Sequence, residues 1–395
     1  MFYINNQKNL TKKILKHKDL IYINNINISL MSNIDISIKQ VEKVVRHVKK
    51  ETIEENKKSY DFFNPISSKL VLEFDGKDVE NVLLNTLKRV AYDNVPTYAF
   101  PSGLINITEN TTIFNNDYMR LRLSNLPIYG TPLDIFYLDP VYWSNINYSD
   151  HNRPRHPSEK QIEIAINSYN DTNFIKNITT NDINYYEDGE LVNRYHKDAP
   201  VLLVQLRPAE TFKCTMRAVL GVGEVQNQWA AAGDVYYDDM TTNDITGEII
   251  EKKNDKIVFT IESLGQYDEY DILLKGCNYI IKKLDDIKND LSKKFSTSQV
   301  PTSNQMVIIL DGEDHTMGQL LNYYFQNHPD ILFSGLTKPD NLINSISFKI
   351  VCSKSIKSPV NAIYEQIEYI KKIFLHIEKN IMKLSSKKLS RSRKL

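Results

Sequence analysis

The sequence predicts an α+β fold: two modules of antiparallel sheet plus helices, paired as a pseudo-heterodimer, with a mainly β domain inserted in the first. Three observations carry this. The order strand, Asp-Gly turn, helix, proline stop, strands, long helix occurs twice. Both long helices carry apolar residues at alternating steps of four and three, the narrow stripe of a helix that packs on another helix. A stretch rich in Tyr, Asp, Asn and Pro interrupts the first copy and not the second.

Residues 1–30 mix Lys, Asn and Ile without a sustained period and are expected to be an extension of low order. Residues 33–38 alternate like a short strand, and 41–58, dense in Lys and Glu, are expected to form an exposed helical insertion. Residues 69–74 (KLVLEF) are a strand, Asp75-Gly76 a turn, and Asp78 is placed to cap the next helix. That helix spans 79–92 with Val79, Val82, Leu83, Thr86, Leu87 and Val90 on one face, and Asn94-Val95-Pro96 stops it. Alternation resumes at 103–107 and 118–123, both expected as strands. Residues 127–199 are expected to be the insertion domain, with a strand at 161–166. Strands return at 201–206, 211–219, 233–237 and 256–262, completing a first module of residues 31–126 and 200–292.

A long helix follows, with its stripe on Leu273, Cys277, Ile280, Leu284, Ile287 and Leu291. Residues 293–305 are polar with one proline, a linker that reaches about 40 Å when extended. The second module, 306–385, repeats the scheme: strand 306–310, turn Asp311-Gly312, and a helix over 316–325 with Leu320 and Leu321, for which Thr316 and Gln319 fit a capping box. His328-Pro329 ends that helix, the apolar run 331–333 and a strand at 345–351 follow, and a final helix carries Val360, Ile363, Ile367, Ile370, Phe374, Ile377, Ile381 and Leu384. Residues 386–395 are a basic tail.

Composition narrows the function. Lys plus Arg and Asp plus Glu are 49 each, so nothing in the overall balance suits neutralising phosphates, and little or no direct DNA contact is expected. No stretch approaches the length of apolar sequence that spans a membrane. Cys214, Cys277 and Cys352 lie far apart, without the spacing of a disulfide framework or a Cys-rich zinc site. Burying one Leu or Ile contributes roughly 1.5–3 kcal/mol, so two long helices with six or more such positions each must cover them. Packing the two stripes on each other does so, and fusion keeps the modules at an effective concentration on the order of millimolar. Leu83, Leu87, Leu273, Cys277, Ile280, Leu284, Leu320, Leu321, Ile367, Ile370, Phe374 and Ile377 are the expected pairing residues.

The motifs on this repeat resemble a known pair of families. Asn85-Thr86-Leu87-Lys88-Arg89, Asn94-Val95-Pro96 and Asn106-Ile107-Thr108-Glu109-Asn110-Thr111-Thr112 are similar to the third-largest subunit of eukaryotic RNA polymerase II, its archaeal equivalent and the bacterial alpha amino-terminal domain. So are Leu206-Arg207, Gly221-Val222-Gly223-Glu224, Asn227-Gln228-Trp229 and Glu262-Ser263-Leu264-Gly265. Glu313-Asp314-His315-Thr316-Met317-Gly318, His328-Pro329, Leu332-Phe333-Ser334-Gly335 and Pro339 resemble the eleventh subunit of polymerase II and its archaeal equivalent. The resemblance implies a non-catalytic assembly subunit that docks the second-largest and largest polymerase subunits and joins smaller ones. The fusion looks like an arrangement of nucleocytoplasmic large DNA viruses, which implies the host cytoplasm or virion, and otherwise the nucleus. Lys88, Arg89, Gly221, Gly223, Glu224, Asn227 and Trp229 would contact neighbouring subunits. The family's insertion domain often holds a cysteine cluster; residues 127–199 contain no cysteine, so no metal and no cofactor is expected.

Other readings of the same residues are weaker. Gly221-Val222-Gly223 lacks the third glycine and following helix of a dinucleotide loop. Glu313-Asp314-His315 reads as a capped helix entry, with a small-molecule enzyme using Asp314 and His315 as the rival. Asp238-Asp239 suits an exposed turn, and His151, Arg153, Arg155 and His156 a solvated loop before a phosphate site. A self-paired scaffold for another complex is the alternative that keeps the fold.

Overall fold

The computed structural model describes residues 34–45, 68–131, 134–139, 142, 155–192, 194–197, 199–238, 256–297, 304–340, 342–353 and 359–392. In the first module β1 (Ser37–Val45), β2 (Ser68–Asp75), β12 (Ala232–Asp238) and β13 (Lys256–Ser263) form an antiparallel sheet in the order β1-β2-β13-β12. Leu70, Leu72 and Phe74 of β2 and Ile257, Phe259 and Ile261 of β13 alternate inward and are buried, as period-two side-chain geometry requires. Helix α1 (Asn81–Asp93) and the long α3 (Glu269–Thr297) cover this face.

The second module has the same plan in fewer strands. Strands β14 (Gln305–Asp311), β16 (Ser345–Cys352) and β15 (Ile331–Thr337) form a sheet in that spatial order, with α4 (His315–Gln326) and the long α5 (Pro359–Ser392). Asp75 pairs with Lys256 in one module and Asp311 with Ser345 in the other, so each Asp-Gly turn leaves the sheet at the corresponding rung.

The inserted residues join strands of the first module in a different layer. Strands β4 (Ile105–Asn110), β10 (Thr211–Arg217), β5 (Ile162–Tyr169), β7 (Ile183–Glu187) and β8 (Glu190–Leu191) lie in that order in one antiparallel sheet. Its inner face carries Ile164, Ile166, Tyr185, Cys214 and Met216. Two short ribbons, β3 (Thr97–Ala99) with β11 (Val219–Gly221) and β6 (Lys176–Thr179) with β9 (Leu202–Leu206), complete the layer. The insertion is therefore continuous with β4 and β10: β5 satisfies the edge of β10 that would otherwise stay open.

Several local expectations change. Residues 41–45 belong to strand β1, not to a helix, because their Lys and Glu side chains sit on an edge strand whose backbone pairs with β2; the rest of 46–58 lies outside the described residues. Residues 118–123 are helical, in α2 (Asn116–Ser124), where the Asn115 side chain accepts from the Tyr118 amide. Asp78 does not cap α1; its carboxylate accepts from the Asp35 amide at 2.7 Å, and Glu80 stands at the cap position. Asp314, not Thr316, caps α4, accepting from the Thr316 amide at 2.8 Å. Helix α3 continues through Thr297 into the expected linker, and α5 runs through Ser392 into the expected tail. The N-terminal extension, His151 and Arg153 lie outside the described residues.

Candidate functional site: the helix seam and the surface beside it

The long helices α3 and α5 pack along each other. Asp285 binds Lys371 at 2.6 Å and Lys288 binds Glu368 at 2.5 Å, so numbering rises on one helix as it falls on the other: the pair is antiparallel. Between these flanks Leu273, Cys277, Ile280 and Leu284 of α3 and Ile367, Ile370, Phe374 and Ile377 of α5 are all buried. Burial pushes the Cys277 thiol far up, which leaves it a packing residue and not a nucleophile. Leu83 and Leu87 of α1 are buried too, and a Cβ on Gly276 would meet Leu87 Cδ1 at 3.4 Å, the close approach that lets α1 lie on α3. Leu320 and Leu321 are buried on α4, which packs on β15, α1 and α5. Midway along α5, His376 Nε2 and Asn380 Nδ2 donate to the carbonyl of Ile36, 2.9 and 3.3 Å away, tying the second module to the strand entry of the first.

At the C-terminal end of α1, the segment 219–229 folds back on the helix. The Glu224 amide donates to the Asp93 carbonyl at 2.9 Å, Asn94 Nδ2 donates to the Glu224 carboxylate at 3.1 Å, and the Tyr92 hydroxyl donates to Asn227 Oδ1 at 2.6 Å. Gly223 is required by proximity: a Cβ there would lie 2.5 Å from the Tyr92 carbonyl oxygen. Gly221 is required by the indole, since its Cβ would lie 2.7 Å from the Trp229 ring. Trp229 is completely buried and donates from Nε1 to the Val219 carbonyl at 2.9 Å. Trp229 and the buried Gly221 therefore cannot touch a neighbouring subunit, a correction to their expected role; they shape the loop that presents Glu224 and Asn227.

The second module completes this surface. Arg89, exposed on α1, reaches Asp314 at 4.0 Å, and Lys88 beside it is half-buried. Lys283 of α3 binds the buried Glu313 at 2.8 Å. Burial raises the carboxyl of Glu313, against the pull of Lys283. Burial also raises Asp93, opposed by Arg89, and raises Glu224, with Asp314 and Asp93 adding to the shift. Asp314 serves as a helix cap within this charged cluster, and no separate acid–base pair with the exposed His315 is formed. Among the described residues no group of three or more His, Cys, Asp or Glu is placed to hold a metal, and no helix is long and apolar enough to cross a membrane.

Residues beside this surface carry no sequence motif that singles them out. Ser102, Asp117, Arg120, Leu121, Gln226 and Gln228 line a cleft of about 420 Å³ between α2 and the 219–229 segment. Tyr118 and Leu121 of α2 and Ile113 and Phe114 before it are exposed apolar side chains. The Asn115-Asn116-Asp117 run is the helix-start signal that could have placed them on a helix.

Two sheet-and-helix units whose long helices close on each other, with a charged surface assembled from both, define a dimerisation scaffold. The description RNA polymerase Rpb3/Rpb11 dimerisation domain fits residues 73–284 in one family model and residues 305–380 in another. The chain is 28% identical to the putative DNA directed RNA polymerase subunit R470 of Acanthamoeba polyphaga mimivirus over 328 residues, covering 77% of this chain and 88% of the relative. It is 42% identical to the RNA polymerase subunit Rpo11 of Sulfurisphaera tokodaii over 65 residues, 16% of this chain and 69% of the relative. It is 24% identical to subunit Rpo3 of Pyrobaculum calidifontis over 251 residues, 54% of this chain and 89% of the relative. The chain belongs to the RNA polymerase Rpb3/Rpb11 dimerisation family, with both halves of the pair fused in one polypeptide.

Proposed function

We propose that this chain is the assembly platform of a DNA-directed RNA polymerase, a non-catalytic subunit that closes its own dimer seam and offers the surface at the end of α1 to the second-largest and largest subunits. Smaller subunits join the same platform, and catalysis stays in the large ones. In this reading residues 31–126 and 200–292 act as the third-subunit module, 306–385 as the eleventh-subunit module and 127–199 as the insertion. The observation that carries the reading is the convergence of Arg89, Glu224 and Asn227 at the end of α1 in the first module with Asp314 from the second. A surface built from both modules exists only after they pair, so pairing and docking are coupled in order. The similarity to a mimivirus polymerase subunit supports a viral setting, with action in the host cytoplasm or virion. Co-expression with the second-largest subunit of the same source tests the proposal: a stoichiometric complex is expected, and two soluble proteins that fail to co-purify would overturn it.

A further inference from the structure

The two halves of the seam are not interchangeable, and the difference lies in charge. The apolar stripe from Leu273 to Leu291 on α3 repeats step for step from Ile363 to Ile381 on α5. Each position of one helix therefore has a counterpart on the other. The entry turns correspond as well, Asp75-Gly76-Lys77-Asp78 in the first module and Asp311-Gly312-Glu313-Asp314 in the second. Tyr279 and Tyr369 are counterparts, and each faces the opposite turn: Tyr279 lies in the field of Glu313 and Asp314, Tyr369 in that of Asp78. The modules thus sit about a pseudo-twofold, and replacing one by a copy of the other becomes a definite question.

Among the described residues the ion pairs that join the modules include Arg89–Asp314 at 4.0 Å and Lys294–Asp311 at 3.4 Å, whose acids correspond to Asp78 and Asp75 and so do not discriminate, and three pairs that do. Lys283–Glu313 at 2.8 Å is the most enclosed, with its side chains 16% and 10% exposed. Lys371–Asp285 at 2.6 Å and Lys288–Glu368 at 2.5 Å are more open, and salt and water weaken them accordingly. In a pair of two first modules, Lys77 takes the place of Glu313, Ile281 that of Lys371 and Asn278 that of Glu368. Lys283 would then face a lysine in an enclosed site, and Asp285 and Lys288 would lose their partners. In a pair of two second modules, Glu378 takes the place of Lys288 and Ile373 that of Lys283. Glu368 would face a glutamate, and Glu313 would stay buried with no cation. Nothing in the apolar stripe forbids either self-pair; these three pairs disfavour both.

We propose that Lys283–Glu313, with Asp285–Lys371 and Lys288–Glu368 in support, is a charge code by which each module accepts the other and rejects its own copy. This rests on the reading of the seam as the pairing surface and adds the rule for partner choice. Fusion already holds one module of each kind within reach of the other, and the charge set adds to this by disfavouring pairs of like modules between two chains.

Full-length chains test it. Glu313→Lys and Lys283→Glu, prepared separately, each set like charges against each other in the enclosed site, and each should lower Tm by on the order of 5 °C or more. Refolded together, the intact Lys283 of one chain meets the intact Glu313 of the other, and the two substituted residues attract in turn. The mixture should therefore give a species of twice the mass of the 45.8 kDa chain by light scattering, absent from either variant alone. The double variant Lys283→Glu with Glu313→Lys should recover the parent mass and most of the parent Tm. Single variants that melt like the parent would overturn the code, as would a double variant no better than the singles together with a mixture that never reaches twice the mass. Co-purification of the parent chain with the second-largest subunit is a separate readout that belongs to the assembly reading, so its failure is distinguishable from failure of the code, which is read from melting and mass.

Discussion

Single residues hold this molecule to its shape by different means, and two of them are open to direct test. Glu187 is buried in the inserted layer and receives Arg194 through both of its oxygens, at 2.6 and 2.8 Å, with Lys160 3.6 Å away. The hydrogen bonds from Arg194 hold its carboxyl below the usual range. A carboxylate lowered in this way stabilises the fold above its ordinary pKa, and that contribution is lost as pH falls through the lowered value. Arg194→Met should cost about 3 kcal/mol at pH 7, the low end for a broken buried pair because Lys160 remains. The gap between the melts of parent and variant should narrow as pH falls through the lowered value of Glu187 in the parent and close once that carboxyl is protonated. The second test is steric. Gly223→Ala drives a Cβ against the Tyr92 carbonyl, a backbone atom that cannot swing aside, and should cost about 1–3 kcal/mol in thermal melts. Glycine, glycine and tryptophan were readable in the sequence as one motif, but the division of labour among them was not. Trp229 is packed under Gly221 and only the loop above it faces outward, a fact of tertiary contact that spacing along the chain does not contain.

Elements were readable in proportion to how many residues voted for them. The stripes of α3 and α5 run through six positions each at fixed steps, more than chance supplies, and the α+β plan with two dimerisation modules follows from them and from the repeated Asp-Gly turn. Residues 118–123 offer so short a window that a period of two and one of 3.6 look alike; the cap at Asn115 decides for a helix. Residues 41–45 misled for another reason, because charged side chains suit an edge strand as well as an exposed helix, and only the pairing with β2 distinguishes them. For the seam itself a packing prediction follows. The register set by the Asp285–Lys371 and Lys288–Glu368 pairs brings Leu284 beside Ile370, and both are fully buried. Leu284→Ala and Ile370→Ala should each cost roughly 2–5 kcal/mol. Because they empty one shared space, the double variant should fall short of the sum by about 0.5 kcal/mol or more in chemical denaturation. Strict additivity would mean that the two side chains sit in separate cores.

At the scale of the whole chain the balance of 49 basic and 49 acidic residues matters less than where the charges gather. Lys88, Arg89, Glu224 and Asn227 stand at the C-terminal end of α1 and in the segment folded on it, with Arg89 next to the helix start of the second module, while the apolar stripes that could aggregate are already covered by each other. In the proposed reading the seam supplies stability, and this surface, left free to be polar, supplies selectivity. The separation can be measured. Lys88→Glu with Asn227→Ala alters side chains outside the apolar seam and removes only the single hydrogen bond from the Tyr92 hydroxyl. Their combined effect on stability should stay within about 1 kcal/mol, since exposed or half-exposed polar changes rarely exceed it. If the end of α1 is where the second-largest subunit sits, the same variant should lose on the order of tenfold in affinity, because a reversed charge there meets a partner surface shaped for the cation. The loss should grow weaker as salt is raised, since screening removes repulsion and attraction alike. A variant that keeps both its melting point and its full affinity would move the docking surface elsewhere on the molecule, with the exposed apolar residues Ile113, Phe114, Tyr118 and Leu121 the next place to look.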